Sequence, residues 1–117
     1  DHPMNILANK ITALIGRDEP KDVYDIISLA THYSFSWPDL FHWAKQKALV
    51  NELEVEMKLS AFPISFFKDV KWAQPHPDLW KVDQNLKKIT QDILLGKENS
   101  LGKGKTPIER GIIEAQP

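Results

Sequence analysis

Apolar residues recur every three or four positions along most of the chain, and the alternation that is typical of strands is rare. This spacing predicts a first helix from about Pro3 to Gly16. A second helix is predicted to start at Pro20, because the first turn of a helix tolerates a residue without an N–H. The residues predicted to face inward from these two helices are Leu7, Ile11, Leu14, Ile15, Val23, Ile26, Ile27 and Ala30.

Two capping patterns predict the starts of the next two helices. Ser36 is followed three residues later by Asp39, and Asn51 is followed three residues later by Glu54. In such a pair the first side chain accepts a hydrogen bond from a free N–H of the first turn. The apolar residues assigned to these helices are Leu40, Phe41 and Ala44 on the third and Leu53 and Met57 on the fourth.

The last third of the chain predicts one long helix between two irregular segments. Residues 62–77 contain three prolines and several aromatics, which indicates a packed loop with a short helix inside it. Helical spacing returns after Pro77 and ends near Gly96, where glycines become frequent. We therefore predict an all-α bundle of about five to six helices over residues 1–96. The remaining residues, 97–117, are predicted to form an irregular or mobile tail tethered through Ile108, Ile112 and Ile113.

Composition limits the classes of function. The 117 residues include 15 basic and 16 acidic side chains, so the formal charge of −1 attracts neither nucleic acid nor an anionic membrane overall. The chain has no cysteine, which excludes disulfides and thiolate metal sites. Its longest apolar runs are too short to span a bilayer, and its N-terminus lacks the pattern of a signal peptide. These features predict a soluble, cytoplasmic protein without membrane partners.

Charged residues are crowded where the first two predicted helices meet. Lys10 and Arg17 lie seven residues apart, so they share one line of the first helix, beside its apolar stripe. There they could hold phosphate over a groove, or pair with acids of the next helix. Asp22 and Asp25 lie near the start of the second helix, where free N–H groups favour any carboxylate. The spacing by itself leaves the functional and the structural interpretation open.

Other motifs give weaker indications of chemistry. The four histidines form no pair at helical ligand spacing, and no glycine-rich loop precedes a helix, so neither a metal site nor a phosphate loop is predicted. Aromatic residues of the last third alternate with lysines, a pattern that suits either base stacking or a core with a lid. The aromatic residues concerned are Phe62, Phe66, Phe67, Trp72 and Trp80, and the lysines are Lys58, Lys68, Lys71 and Lys81.

The opening segment resembles a known family. Residues 6–10 read ILANK, residues 13 and 14 read AL, Arg17 follows, and residues 21–26 read KDVYDI. This pattern resembles the end of the catalytic region in the abortive-infection nucleotidyltransferases of the AbiEii/AbiGii toxin type. Their helical part follows the nucleotidyltransferase sheet. The resemblance is strong over roughly residues 5–30, softer to about residue 95, and absent from the tail.

The resemblance implies roles for five charged residues. It makes Lys10 a contact of the nucleotide phosphate and Arg17 a second cation of the same anionic pocket. It also makes Asp22 the motif acid near the site, with Asp25 as its helix partner. The residues implied are therefore Asp22 and Lys10 for catalysis, and Lys10, Arg17, Lys21 and Asp25 for binding the nucleotide.

The chain also departs from this family. It contains no Gly-Ser pair and no Asp-x-Asp, the motifs that hold Mg²⁺ in nucleotidyltransferases of this superfamily. We therefore expect the chain to be the helical C-terminal part of such an enzyme and to be inactive alone. Mg²⁺ and a nucleoside triphosphate are implied only for the complete protein. The implied partners are the missing N-terminal sheet, an antitoxin protein and an RNA acceptor. The alternative is a freestanding helical module that binds protein or nucleic acid without catalysis.

Overall fold

Five α-helices dominate the part of the chain that the structure describes. The computed structural model describes residues 2–69 and 78–108. The predicted all-α class is confirmed, because the only strands in these residues are a pair of two-residue segments. The elements are α1 (Pro3–Gly16), α2 (Pro20–His32), β1 (Tyr33–Ser34), α3 (Trp37–Lys45), α4 (Glu52–Ala61), a first 3₁₀ helix (Ile64–Asp69), α5 (Leu79–Leu95), a second 3₁₀ helix (Ser100–Gly102) and β2 (Thr106–Pro107).

The helix ends follow local sequence signals. The Ser36 side chain accepts a hydrogen bond from the N–H of Asp39 before α3, and the Asn51 side chain accepts one from the N–H of Glu54 before α4. Both predicted caps are therefore confirmed. At the other end of the chain, α5 stops at Gly96, whose φ of 61° is the left-handed conformation that glycine adopts at little cost.

Helix α1 lies at the centre of the packing, against α2, α3 and α4. Helix α5 packs against α4 and α2 and closes the other side of the core. Each large apolar side chain that is fully buried contributes about 1.5–3 kcal/mol of transfer free energy, so this core fixes how α1 and α2 meet. The largest of these side chains are Trp37, Phe41, Phe67, Leu7, Ile11, Leu14, Ile26, Leu40, Leu59 and Ile89.

Helix α4 buries a face different from the predicted one. Leu53 and Met57 are 57% and 59% exposed, whereas Val55 and Leu59 are buried. Both pairs are four residues apart and therefore each forms a stripe along the helix. The sequence pattern contains two apolar stripes on α4, and only packing against α1 and α5 decides which one enters the core.

The described part of the tail returns to the helices. Strand β2 pairs in parallel with β1, and the N–H of Ile108 donates to the carbonyl oxygen of Ser34 at 3.0 Å. Ile108 is buried, as its predicted tethering role requires. Residues 109–117, which include the other two isoleucines of the predicted tether, lie outside the described residues, as does Trp72.

A buried asparagine connects this segment to the end of α2. The Asn99 side chain donates to the carbonyl oxygens of Ala30 and Tyr33 at 2.7 and 2.9 Å. The Ala30 carbonyl is among the last C=O groups of α2, which a helix leaves free, and Tyr33 follows the helix directly. Gly102 lies so close to the Tyr33 carbonyl that any Cβ atom would collide with it. Residues 97–108 are thus packed against α2 and α5, although their sequence carries no helical period.

None of the helices within residues 2–69 and 78–108 has the length and apolar character needed to cross a membrane.

Candidate functional site

Four charged side chains meet where α1 packs on the start of α2. The Lys10 ammonium lies 3.3 Å from Asp22 Oδ1 and 2.9 Å from Asp25 Oδ2. Lys10 belongs to α1, and the two acids belong to the first two turns of α2. A connection of three residues, 17–19, joins the helices, so the sequence order itself brings these charges together.

Arg17 adds a forked contact to the same carboxylate. Its Nε donates to Asp22 Oδ2 at 2.8 Å and its Nη2 donates to Asp22 Oδ1 at 3.3 Å. Arg17 follows α1 in an extended conformation, with φ −159° and ψ 153°. It therefore approaches Asp22 from the interhelical turn, whereas Lys10 approaches from the side of α1. These two hydrogen bonds fix the plane of the guanidinium. A lysine ammonium at this position would not be oriented in this way.

Burial differs sharply within this charge cluster, defined as Lys10, Arg17, Asp22 and Asp25. The Asp22 side chain is only 2% exposed, whereas those of Lys10 and Arg17 are 27% and 61% exposed. A phosphate pocket at the edge of the core predicts that Lys10, Arg17 and Asp22 are all partly exposed, and this prediction is wrong for Asp22. The reason is that the two cations cover Asp22 from outside while α2 places it beside the buried Val23.

One predicted nucleotide-binding residue lies outside the charge cluster. Lys21 is exposed and forms no ion pair with any described residue, although it precedes Asp22 in the chain. Successive helical residues are turned by about 100°, so Lys21 leaves the face that Asp22 shares with α1. The structure thus brings together Lys10, Arg17, Asp22 and Asp25 and leaves Lys21 in solvent.

The charge cluster retains hydrogen-bond donors for a further anion. A lysine ammonium has three donors and a guanidinium has five. Lys10 directs two of its donors to Asp22 and Asp25, and Arg17 directs two of its five to Asp22. The other donors take no acceptor among the described residues and belong to the two exposed members of the cluster. These remaining donors are available to an incoming phosphate without displacing Asp22.

The two acids of the cluster do not fit a divalent cation. Both oxygens of Asp22 accept hydrogen bonds from cations, and Asp25 accepts from Lys10. A metal ion in this place would face the positive charges of Lys10 and Arg17 at close range. Among residues 2–69 and 78–108, no group of three or more histidines and acids is arranged to hold a metal. The prediction that this chain alone holds no metal stays a prediction.

Ion pairing raises the pKa of Lys10 above its ordinary value of 10.5. The hydrogen bond with Asp25 is the largest cause, partial burial opposes it, and Asp22 adds to the increase. Because the pKa of Lys10 is higher in the folded state, the stabilisation from its ion pairs is fully present at any pH below the pKa of Lys10 in the unfolded chain. This stabilisation is lost as the pH rises through the folded-state pKa, above 10.5.

We therefore expect the stability advantage of the native chain over Lys10→Met to depend on pH. Methionine keeps the apolar stem and removes the charge, so the variant should be about 1 kcal/mol less stable near neutral pH. The difference should persist at about pH 9 and shrink as the pH rises through the raised pKa of Lys10, above 10.5, because the ammonium then loses its proton. Urea unfolding of both proteins at each pH measures it. A difference that stays constant across this range would show that the ammonium charge contributes nothing.

The aromatic residues of the last third belong mostly to the core. Phe62 and Phe67 are buried, and the Phe62 ring lies 5.5 Å from the centres of both the Phe66 and Phe67 rings. Edge-to-face pairs of this kind are typical of packed interiors. Trp80 is exposed, on α5. Of the two open alternatives, core packing therefore accounts for Phe62 and Phe67.

Comparisons of the chain with protein-family models, with curated proteins and with solved structures gave no match. The resemblance to the abortive-infection nucleotidyltransferases therefore stays a prediction that rests on the quoted residues. What the structure adds is the geometry of the charge cluster, which can be compared with the chemistry that the resemblance implies.

Sequence reasoning missed a second surface feature, an open apolar groove along α4. The groove has a volume of about 630 Å³, and its walls include Leu53, Met57, Phe62 and Phe66. The signal that could have identified it is the pair of apolar stripes on α4, since one helix face enters the core and the other does not. The pattern shows that two stripes exist but not which one stays exposed.

Proposed function

We propose that the chain is the helical C-terminal part of a metal-dependent nucleotidyltransferase of the AbiEii/AbiGii toxin type. In this proposal the complete protein transfers a nucleoside monophosphate from a nucleoside triphosphate to an RNA or protein acceptor. The helical part supplies cations that hold the triphosphate, and the preceding sheet supplies the metal ligands. The proposal rests on the resemblance of residues 6–26 and on the charge cluster that these residues form.

One observation carries the proposal. A single buried carboxylate, Asp22, orients two cations from different points of the chain while both keep free donors at the surface. An electrostatic site is effective when its charges are already in place before the ligand arrives. Lys10 and Arg17 meet this condition, because their pairing with Asp22 restricts their motion. Simple surface ion pairs do not share one buried partner in this way.

The geometry favours a positioning role for Asp22. Its oxygens are covered by Lys10 and Arg17, so contact with a substrate would require those bonds to break. We assign phosphate contact to Lys10 and Arg17, and we assign to Asp22 and Asp25 the orientation of these cations. Asp25 is the more exposed of the two acids, and it holds Lys10 from the outer side. Lys21 is left with a supporting part in attracting the anion.

The nucleotide interaction can be tested with the chain alone. Titration with ATP, followed by NMR of labelled lysine and arginine side chains, should shift the signals of Lys10 and Arg17. We expect a dissociation constant of about 1 mM, because the metal ligands that complete the site are not in this chain. Lys10→Ala should abolish the shift at Arg17 as well, since both cations contact the same phosphates.

Lys87→Ala is the control, because Lys87 also forms an ion pair, with Asp83 one turn away on α5, but lies outside the charge cluster. It should leave the titration unchanged. Equal shifts at Lys10, Lys87 and other lysines would indicate nonspecific ion binding and would remove the support that the cluster gives. A direct test of the resemblance is the coding DNA upstream of Asp1, where an in-frame Gly-Ser followed by Asp-x-Asp is expected.

The alternative function, a freestanding helical binding module, has one observation in its favour. The exposed apolar stripe of α4 is a surface suited to protein contact whether or not the chain takes part in catalysis. An upstream region without the metal-binding motifs would favour this alternative.

A further inference from the structure

Helix α4 is apolar on two sides, and only one of them is covered by described residues. Val55 and Leu59 enter the core, while Leu53, Met57 and Ala61 form an exposed stripe with a spacing of four residues. Helices with one solvent-facing side normally carry polar residues there. An exposed stripe of regular helical spacing is therefore a surface on which another element could pack.

The exposed stripe forms one wall of the α4 groove. The chain turns at Pro63, and Phe66 of the first 3₁₀ helix stands opposite α4 with 43% of its surface exposed. Between Leu53 and Ala61 the groove follows eight residues of helix, or about 12 Å, which matches two turns of a second helix. Met57 lies midway along it. Methionine and phenylalanine adapt to a partner's side chains more readily than branched residues do.

The charges around the α4 groove favour one sign of partner. Asp18 and Glu54 line it, and Lys58 is its only cation among the described lining residues. Lys58 lies 3.2 Å from Asp18 and is neutralised by it. The Glu54 carboxylate forms no ion pair with a described residue. The backbone N–H of Glu54 donates to the Asn51 side chain, which caps α4. The rim of the groove is thus left with an uncompensated negative charge.

We propose that the α4 groove is a docking site for an amphipathic helix of a partner protein, with apolar anchors along one face and lysine or arginine beside them. The anchors lie against Leu53, Met57 and Phe66, and a basic residue of the partner pairs with Glu54. This is recognition of a helix in a groove, in which anchors at successive turns give affinity and flanking charges give selectivity. The proposal goes beyond the nucleotide chemistry and does not rest on it.

Charge also argues against a second copy of the chain as the occupant. A second copy would bring a Glu54 of the same charge and a Lys58 that Asp18 already neutralises, so like charges would repel. A basic partner helix removes this repulsion, whereas self-association increases it. The open shape and predominantly apolar walls of the groove suit a helix face rather than a charged small molecule.

The test uses the full chain and two synthetic helical peptides. Both carry leucines at positions that repeat every three or four residues. One has lysines beside the leucines, and the other has glutamates at the same positions. Fluorescence anisotropy should give a dissociation constant of about 10 μM for the lysine peptide. The glutamate peptide should bind at least about tenfold more weakly, because it meets Glu54 with like charge.

Variants of the chain locate the binding site. Leu53→Asp and Met57→Asp should each weaken binding of the lysine peptide by about tenfold or more. Their melting temperatures should stay near that of the native chain, because both side chains are largely exposed. Leu95→Asp is the matched control, since Leu95 is 61% exposed but lies on α5, outside the groove. Glu54→Lys should reverse the preference between the peptides, whereas Glu98→Lys, outside the groove, should not.

Three results would each overturn the proposal. The first is equal affinity for the lysine and glutamate peptides. The second is an equal loss of binding in Leu95→Asp and Leu53→Asp, which would indicate nonspecific apolar contact. The third is a dimer of the chain in sedimentation analysis that Leu53→Asp converts to a monomer, because a second copy would then be the occupant.

Discussion

Removing both cations of the charge cluster should destabilise the fold more than removing the acid they share. In the double variant Lys10→Met, Arg17→Met, the Asp22 carboxylate, whose side chain is 2% exposed in the native chain, loses both of these cations. Leaving a buried charge uncompensated costs about 3–5 kcal/mol. In Asp22→Asn the charges left behind are those of Lys10 and Arg17, which reach solvent, so the loss should be only about 1–3 kcal/mol. Urea unfolding near neutral pH measures both.

A triple variant separates charge from packing. Lys10→Met, Arg17→Met and Asp22→Asn together remove the cluster without stranding a charge, and this protein should be more stable than the double variant. Recovery on adding a third substitution is the signature of an uncompensated buried charge, because unrelated losses would add. If the triple variant is instead less stable than the double variant, the burial of Asp22 has no electrostatic cost.

The proposed function predicts that Lys10→Ala in the complete protein lowers nucleotide transfer by about a hundredfold to a thousandfold. A preorganised cation that stabilises developing charge on phosphate typically contributes this much. The fold should tolerate the change, because Arg17 keeps its fork on Asp22 and leaves that carboxylate paired. The measurement is transfer of a labelled nucleoside monophosphate, made beside a melting curve of the same preparation. The loss should appear in kcat/KM, with the melting temperature lowered by only a few degrees, about 4–8 °C per kcal/mol.

Lys87→Ala is again the control, since it removes one paired lysine on α5 and should change neither quantity. A purely structural cluster predicts the reverse result for Lys10→Ala. Transfer at low temperature would then be normal, and activity would disappear only as the protein unfolds. A Lys10→Ala protein whose kcat/KM for the proposed transfer is undiminished would rule out phosphate contact by this lysine.

The meeting of the four charges could be predicted from the sequence, but their burial could not. The KDVYDI motif after a short turn places Asp22 and Asp25 opposite α1, since helices joined by three residues must pack as neighbours. Whether Asp22 faces solvent depends on how Lys10 and Arg17 fold over it. Long side chains choose among many rotamers, and the choice is made by tertiary contacts that no spacing rule records.

The sequence by itself determined where most helices begin and end. Ser36 and Asn51 cap as predicted, and Gly96 ends α5, because these signals act within one or two turns and need no distant partner. Only the tertiary structure decided which stripe of α4 is buried. Val55 and Leu59 are buried because they face the core that α1 and α5 complete, whereas Leu53 and Met57 stay exposed.

The described tail shows the same division in another form. Its sequence has no period, and its order comes from Asn99, whose amide reaches back 69 residues to the Ala30 carbonyl oxygen at 2.7 Å, and from Gly102 beneath Tyr33. A sequence indicates where a helix ends and therefore which carbonyls are left free. It does not indicate the group that donates to them, which can come from anywhere in the chain. Local capping and periodicity are therefore encoded within a few residues, whereas burial of Asp22, exposure of Leu53 and docking of the tail depend on contacts that exist only after the helices have packed.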